Sequence, residues 1–412
     1  MRFARQRAQY TQGRLDCRSF PLYLTHMLDR LLFKRLKSSK KGILLLGPRQ
    51  VGKSTLTRSL KPDLVINLAD EELYLAYSKD PARLKREIAA LEHHAKRVVI
   101  DEIQRIPTLL NSVQFLLDEG CTLQFVLTGS SARKLKQRGV NLLPGRLILE
   151  HLDPLLFWEL GDQFDLEKAL RIGTLPGVYL DKEQGPDILS TYATTYLREE
   201  IQHEAATRNV GSYARFLDCA AESSGCFINY SKIASDTEIP KETIRRYFDI
   251  LSDTLIVFRI PPYTKTPTHR NVSQRDRFVF FDMGVRNAVL GIHTQRPTQT
   301  QYGTLFEQWF ILQCIGYMHA MHKNWKISSY RTDSGTEVDL ILETHKKIIA
   351  IECKWATVAR ESHMPGLRSF EKIAPQPLEK YLVYRGSTKQ KFKGGEIAIP
   401  YQTFLHNILP SL

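Results

Sequence analysis

Eight consecutive residues, Gly47-Pro48-Arg49-Gln50-Val51-Gly52-Lys53-Ser54, read G-x-x-x-x-G-K-S and lie between an apolar run at 43–46 and a helical stretch at 55–60. Few patterns of this length restrict a fold so strongly. The apolar run reads as a buried strand, the glycines let the backbone curl until successive N–H groups face one anion, and the next helix starts at that anion. Gly47, Gly52 and Thr55 cradle the phosphates of a nucleotide in this reading, Lys53 reaches the β and γ phosphates, and Ser54 ligates Mg²⁺.

The surrounding chain repeats the same theme. Short β-type runs at 43–46, 64–68, 98–101, 123–128 and 147–149 alternate with amphipathic stretches such as 81–94 and 109–118. This alternation predicts a parallel sheet with helices on both faces. The run 97–101 ends in Asp101-Glu102. Asp101 is placed to hold the Mg²⁺ water shell and Glu102 to polarise an attacking water, a group that binding without hydrolysis does not need. The run 123–127 ends in Thr128-Gly129-Ser130-Ser131. Thr128 and Ser130 are candidates to orient that water or sense the γ-phosphate, and helix N-capping accounts equally well for Ser130 or Ser131. Arg146, on a turn before the last run, is a candidate arginine finger supplied to a neighbouring subunit of a homo-oligomer, with a surface ion pair as its plainer reading.

On these residues the chain resembles a family of bacterial and archaeal AAA-type ATPases. In that family Gly47 to Ser54, the strand end Asp101-Glu102-Ile103-Gln104, Leu127 to Ser131 and Pro144-Gly145-Arg146 have counterparts in this order. The resemblance implies ATP and Mg²⁺ as cofactors and a second domain of unknown function after the ATPase. It covers nearly the whole chain after about residue 28.

The rest of the sequence sets bounds on this picture. The 412 residues allow two or three domains. We place them as a basic segment at 1–41, the AAA-type core at 42–160, a helical lid at 161–225, a winged helix at 226–290 and a C-terminal α/β module at 300–390. The net charge is +14, of which the first 41 residues carry +9. Such an arm binds nucleic acid, is simply solvated, or serves as a presequence, although its first 13 residues lack serine. No apolar stretch approaches the roughly 20 residues of a membrane span, so no membrane partner is expected. The six cysteines form no C-x-x-C pair, which fits a reducing, cytoplasmic setting.

Two further patterns carry chemistry. At 228–281 two helices precede two β-type runs (254–260 and 277–281), a helix-turn-helix with a wing in which Ser231 is the expected first N-cap and Pro240 opens the second helix. On that second helix Ile244, Tyr247, Phe248 and Leu251 form one apolar stripe, which directs Lys241, Arg245 and Arg246 elsewhere, toward a DNA duplex or its phosphates. Tyr263, Lys265, His269 and Arg270 fall in the expected wing loop. Service as a protein–protein wedge is an equal alternative for this region.

The runs 337–342 and 348–354 read as neighbouring strands joined near His345, with Glu352 and Lys354 on one face. If Asp339 joins them, two carboxylates and an ammonium converge as phosphodiester hydrolysis with Mg²⁺ requires. This resembles the PD-(D/E)xK nuclease core, a restriction-endonuclease-like α/β fold. The resemblance implies Asp339 and Glu352 as metal ligands, Glu307 from a preceding helix as a third, and Lys354 beside the water. A catalytically idle nuclease fold that only recognises DNA or a partner protein is the alternative reading.

Overall fold

The computed structural model describes residues 28–91, 94–131, 145–181, 183–197, 210–263, 273 and 275–412 except 376. The basic arm before residue 28, Pro144, and the wing-loop residues Lys265, His269 and Arg270 lie outside the described residues.

The N-terminal module begins with α1 (Phe33–Ser38), β1 (Gly42–Leu46), α2 (Lys53–Ser59), β2 (Leu64–Asn67), α3 (Glu71–Lys79) and α4 (Arg83–Ala89). It continues with β3 (Arg97–Asp101), α5 (Leu109–Asp118), β4 (Gln124–Gly129) and β5 (Leu147–His151). The five strands form one sheet in the order β2-β3-β4-β1-β5, and every neighbouring pair is parallel. Side chains alternate along each strand into two separate cores. Leu44, Leu46, Val98, Ile100, Phe125 and Leu127 pack with Leu109 and Val113 of α5, while Ile43, Leu45, Val99 and Val126 pack with Leu36 of α1 and Leu56 of α2. Burial on both faces is the reason these strands read as unbroken apolar runs.

One helix differs from the expectation. The structure has two helices here: α3 at 71–79, which lies outside the stretches expected from the sequence, and α4 at 83–89, inside the amphipathic stretch expected at 81–94. The first is started by Asp70, whose carboxylate accepts from the N–H groups of Glu72 and Leu73 at 2.9 and 3.0 Å.

The middle of the chain is helical, with α6 (Phe157–Leu160), α7 (Leu166–Ile172) and α8 (Val210–Glu222). Next come α9 (Tyr230–Thr237), α10 (Lys241–Asp253) and an antiparallel ribbon of β6 (Val257–Ile260) and β7 (Arg277–Phe280). Asn229, not Ser231, caps α9, because its side chain accepts from Lys232 N–H. The first strand starts at residue 257 rather than 254, since Leu255 at φ 62° turns the chain out of α10. The stripe Ile244, Tyr247, Phe248 and Leu251 is buried as expected, each side chain contributing roughly 1.5–3 kcal/mol relative to exposure.

The C-terminal module follows α11 (Met283–Val289). Its elements are α12 (Gln299–Ala320), β8 (Lys326–Arg331), β9 (Glu337–Glu343), β10 (Ile348–Lys354), α13 (Pro365–Glu371), β11 (Leu378–Tyr384), β12 (Gln390–Lys391) and β13 (Ile397–Pro400). The six strands lie in the order β12-β13-β11-β10-β9-β8. The strands β8, β9 and β10 form an antiparallel meander, and α13 crosses over to place β11 parallel to β10. The stretch at 261–263 is no free linker: Ser329 N–H donates to Pro261 O at 3.0 Å and Tyr263 N–H to Ser329 O at 2.8 Å, which joins it to β8. Tyr263 is buried against Phe370 and so does not stand in a DNA-facing wing.

Candidate functional site

The phosphate loop starts where β1 ends. A side chain at Gly47 would bring its Cβ to 2.3 Å from Leu152 O, so only glycine fits. Gln50 and Gly52 have φ of 64° and 95°, the left-handed turns that curl the loop before α2. Lys53 is buried, and its ammonium donates to Gly47 O and Pro48 O, both at 2.8 Å, so it lies across the loop. Ser54 is half-buried and Thr55 exposed on the first turn of α2, and the Arg49 guanidinium covers the Tyr196 ring at 4.4 Å.

The strand order sets β4 between β1 and β3, so Thr128 stands between the loop and Asp101. Asp101 is buried and accepts from Thr128 Oγ1, and Thr128 Oγ1 accepts from Glu102 N–H at 3.2 Å. Glu102 holds a left-handed φ of 58°, a backbone state that a non-glycine residue keeps only when its surroundings enforce it. Its carboxylate accepts from Gln104 Nε2, which also donates to Ser130 Oγ at 3.0 Å. Asp101, Glu102, Thr128 and Ser130 are therefore gathered at adjacent strand ends, as expected. Gln104 is the addition: it orients Glu102, and a side chain at Gly129 would press its Cβ to 2.9 Å from Gln104 Oε1. Among the described residues the hydrogen-bond partners of both acids are neutral groups.

Arg146 is elsewhere. It sits just before β5, at the opposite end of the sheet from the loop, and pairs with Asp118 at 2.5 Å with both side chains about half exposed. A finger from Arg146 therefore cannot serve the loop of its own chain.

The second cluster lies on β9, β10 and α12. The carboxylate of Asp339 accepts from Cys353 N–H at 2.8 Å, which sets it beside β10 one residue from Glu352. Lys354 Nζ meets Glu352 Oε1 at 2.5 Å, while the other oxygen of Glu352 is buried with no hydrogen-bond partner among the described residues. Glu307 departs from the expected ligand set. It is ion-paired with Arg277, a buried residue of β7 that also donates to Asp339 O at 2.8 Å and Gly225 O at 2.9 Å. Among the described residues no three Asp, Glu, His or Cys side chains are arranged to hold a metal ion. Glu307, Asp339 and Glu352 lie near enough to repel one another, and Arg277 and Lys354 pair with two of them. Burial, followed by the charge of Asp339, pushes the Glu307 carboxyl up to about 7 and Glu352 well above the usual carboxylate range. Burial works against the Lys354 charge, but Asp339 and Glu352 outweigh it and raise its pKa.

On α10, Lys241, Arg245 and Arg246 are exposed. Arg245 lies near Glu242 at 3.3 Å and over the Tyr230 ring, and Arg246 lies over Tyr247. They form a cationic edge separate from both clusters.

Comparison with known proteins divides the chain into three stretches. Residues 39–161 match the AAA domain family, and the parallel five-stranded sheet with its loop fits the P-loop fold of AAA type. Residues 163–296 and 302–404 match two domains of unknown function, DUF8612 and DUF4143. The chain is similar to uncharacterised proteins of Mycobacterium bovis and Mycobacterium tuberculosis, each 27% identical over 321 residues that cover 76% of this chain and 70% of the relative. An uncharacterised protein of Methanocaldococcus jannaschii is 23% identical and covers 92% of this chain and 88% of its own length. Among solved structures, AMPPCP-bound DnaA from Aquifex aeolicus overlaps at 14% identity and a TM-score of 0.26, covering 53% of this chain and 84% of that one. A signal-transduction ATPase with a tetratricopeptide repeat sensor from Pyrococcus horikoshii overlaps at 12% identity and a TM-score of 0.22, covering 70% and 46%. Among the described residues no helix is long and apolar enough to cross a membrane.

Proposed function

We propose that the chain is an ATP-hydrolysing protein that acts on DNA. The observation that carries this reading is the grouping of the phosphate loop, Asp101, Glu102 and Thr128 at the ends of adjacent parallel strands, within the stretch that matches an AAA domain. Gly47, Gly52, Lys53 and Thr55 hold the phosphates, Ser54 and Asp101 the Mg²⁺, and Glu102, steered by Gln104, takes the proton of the attacking water. Mg²⁺ supplies neutralisation of the phosphate charge when bound. Lys241, Arg245 and Arg246 on the winged-helix segment contact the DNA backbone. The test is release of phosphate from ATP by the purified chain, which requires Mg²⁺ and is altered by added duplex DNA. Absence of Mg²⁺-dependent release contradicts the reading.

For the C-terminal module we favour recognition over cutting, because Arg277 and Lys354 already neutralise Glu307 and Glu352. One observation supports the second reading, a Mg²⁺-dependent nuclease: the unpaired buried oxygen of Glu352 beside Asp339 fits a cation in chemical type. Incubating linear, supercoiled, single-stranded and branched DNA with the chain, Mg²⁺ and ATP separates the two. Cutting that Asp339→Ala and Lys354→Ala each abolish, with ATP turnover intact, establishes the nuclease.

A further inference from the structure

Arg30 precedes α1 and belongs to none of the sequence patterns that carry chemistry. Its side chain is 9% exposed, and its guanidinium is divided among three acceptors. Nε donates to Glu159 Oε2 at 3.0 Å, Nη1 to Val51 O at 2.8 Å and Nη2 to Asp153 O at 2.5 Å. Glu159 is fixed in turn, since its carboxylate also accepts from Leu31 N–H at 2.8 Å and Leu156 N–H at 3.0 Å.

The contact with Val51 O bears directly on the loop. The Val51 carbonyl and the Gly52 N–H belong to one planar trans peptide, so they point in opposite directions. Gly52 sits at φ 95°, but glycine populates both signs of φ about equally. The residue itself therefore does not fix which way this peptide faces, and a flip would turn the N–H away from the anion and the carbonyl toward it. Arg30 is a donor outside the loop that holds this carbonyl in the observed direction.

We propose that Arg30 is a positioning residue of the nucleotide site: by holding Val51 O against the connection between β5 and α6, it keeps the Gly52 N–H turned toward the phosphates. The proposal rests on the nucleotide reading above. Only a guanidinium suits the task, because its rigid fork presents donors in several directions whereas an ammonium is a single point charge. The plainer reading is that Arg30 merely fastens the N-terminal segment. Arg35 is the control for it, since it anchors the same segment through Glu150 at 2.6 Å without touching the loop.

The experiment uses the full chain and measures binding of a fluorescent ATP analogue, steady-state hydrolysis of Mg-ATP and the melting temperature. A backbone N–H that meets the phosphates in both ground and transition states contributes to binding more than to the chemical step. Arg30→Ala is expected to raise Kd and KM about 10-fold or more with kcat nearly unchanged. Arg30→Lys should fall between Arg30→Ala and wild type, and Arg35→Ala should lower the melting temperature while leaving KM at the wild-type value. If Arg30→Ala fails to melt cooperatively, Arg30→Lys carries the test, and a wild-type KM there overturns the proposal. Wild-type Kd and KM in Arg30→Ala, or an equal rise of KM in Arg35→Ala, overturns it while the nucleotide reading stands. A wild-type chain that neither binds nor hydrolyses nucleotide overturns both.

Discussion

The phosphate-loop site and the C-terminal acidic cluster use the same materials, carboxylates and a lysine beside the ends of buried strands, and treat charge in opposite ways. Around the loop, Asp101 and Glu102 are held by the neutral groups of Thr128 and Gln104, and Lys53 rests on backbone carbonyls. In the cluster, Glu307 is held by Arg277 and Glu352 by Lys354. A neutral partner orients a carboxylate and leaves its charge for a ligand, while an ion pair in a buried setting neutralises it locally. The difference teaches that a shared donor set does not imply a shared charge balance: among the described residues the acids of the first site meet neutral groups, while two of the three acids in the second meet cations of their own chain.

The largest expected effect removes the first site and leaves the second intact. Lys53→Ala should abolish ATP turnover, a loss of roughly 10³-fold or more in kcat/KM, because the ammonium holds the phosphates on binding and also neutralises the charge that develops in the transition state. DNA binding should persist, and a parallel loss of DNA binding would break the separation of the two regions. Next in size, Glu102→Gln should keep nucleotide binding and slow turnover by roughly 10²–10⁴-fold, the range of general-base contributions. Wild-type turnover in that variant would remove Glu102 from its role.

A smaller effect belongs to the cationic edge. Replacing Arg245 and Arg246 together by alanine should weaken duplex binding and reduce its salt slope by about 2, close to one unit for each phosphate that is no longer neutralised. An unchanged slope measured across a salt series would favour the protein-wedge alternative for this segment.

The smallest effect concerns the seam between the regions, where His319 of α12 pairs with Asp153 at 2.8 Å. Burial disfavours the imidazolium, but Asp153 outweighs it and raises the His319 pKa, while the stacked His151 is lowered to about 4 by burial and by His319. A raised folded-state pKa means that the stabilisation is complete below the ordinary value of 6.5 and is lost as pH climbs through the folded value. His319→Gln should therefore cost about 1–3 kcal/mol at pH 6 and distinctly less at pH 9. Melting curves at the two pH values check the sign, and an equal loss at both would remove the ion pair from the seam.

How much of this was legible in the sequence varies with how local the signal is. The motif Gly47 to Ser54 and the strand end Asp101-Glu102 declare themselves through neighbours along the chain, and the apolar runs of β1, β3 and β4 follow from burial on both faces. The stripe on α10 was equally readable. The helix α3 was not, because its residues 71–79 bury only Tyr77 and so carry little periodicity. Arg30, Arg277 and the division of the cluster by ion pairs were also out of reach. Each depends on partners distant in the chain, 129 residues from Arg30 to Glu159 and 30 from Arg277 to Glu307, and no spacing rule announces them. Alternation along the strand places Glu352 and Lys354 on one face, and Glu307 and Asp339 were joined to them through the resemblance to the nuclease core, but neither says which cation reaches these acids first.

The contrast between the two sites is tested most directly by equilibrium binding of Mn²⁺ to the full chain, followed by its paramagnetic signal with and without ATP. The account predicts one tight Mn²⁺ site that forms only with ATP, is lost in Lys53→Ala and is unaffected by Asp339→Ala. A tight Mn²⁺ site that forms without ATP and disappears in Asp339→Ala would contradict it.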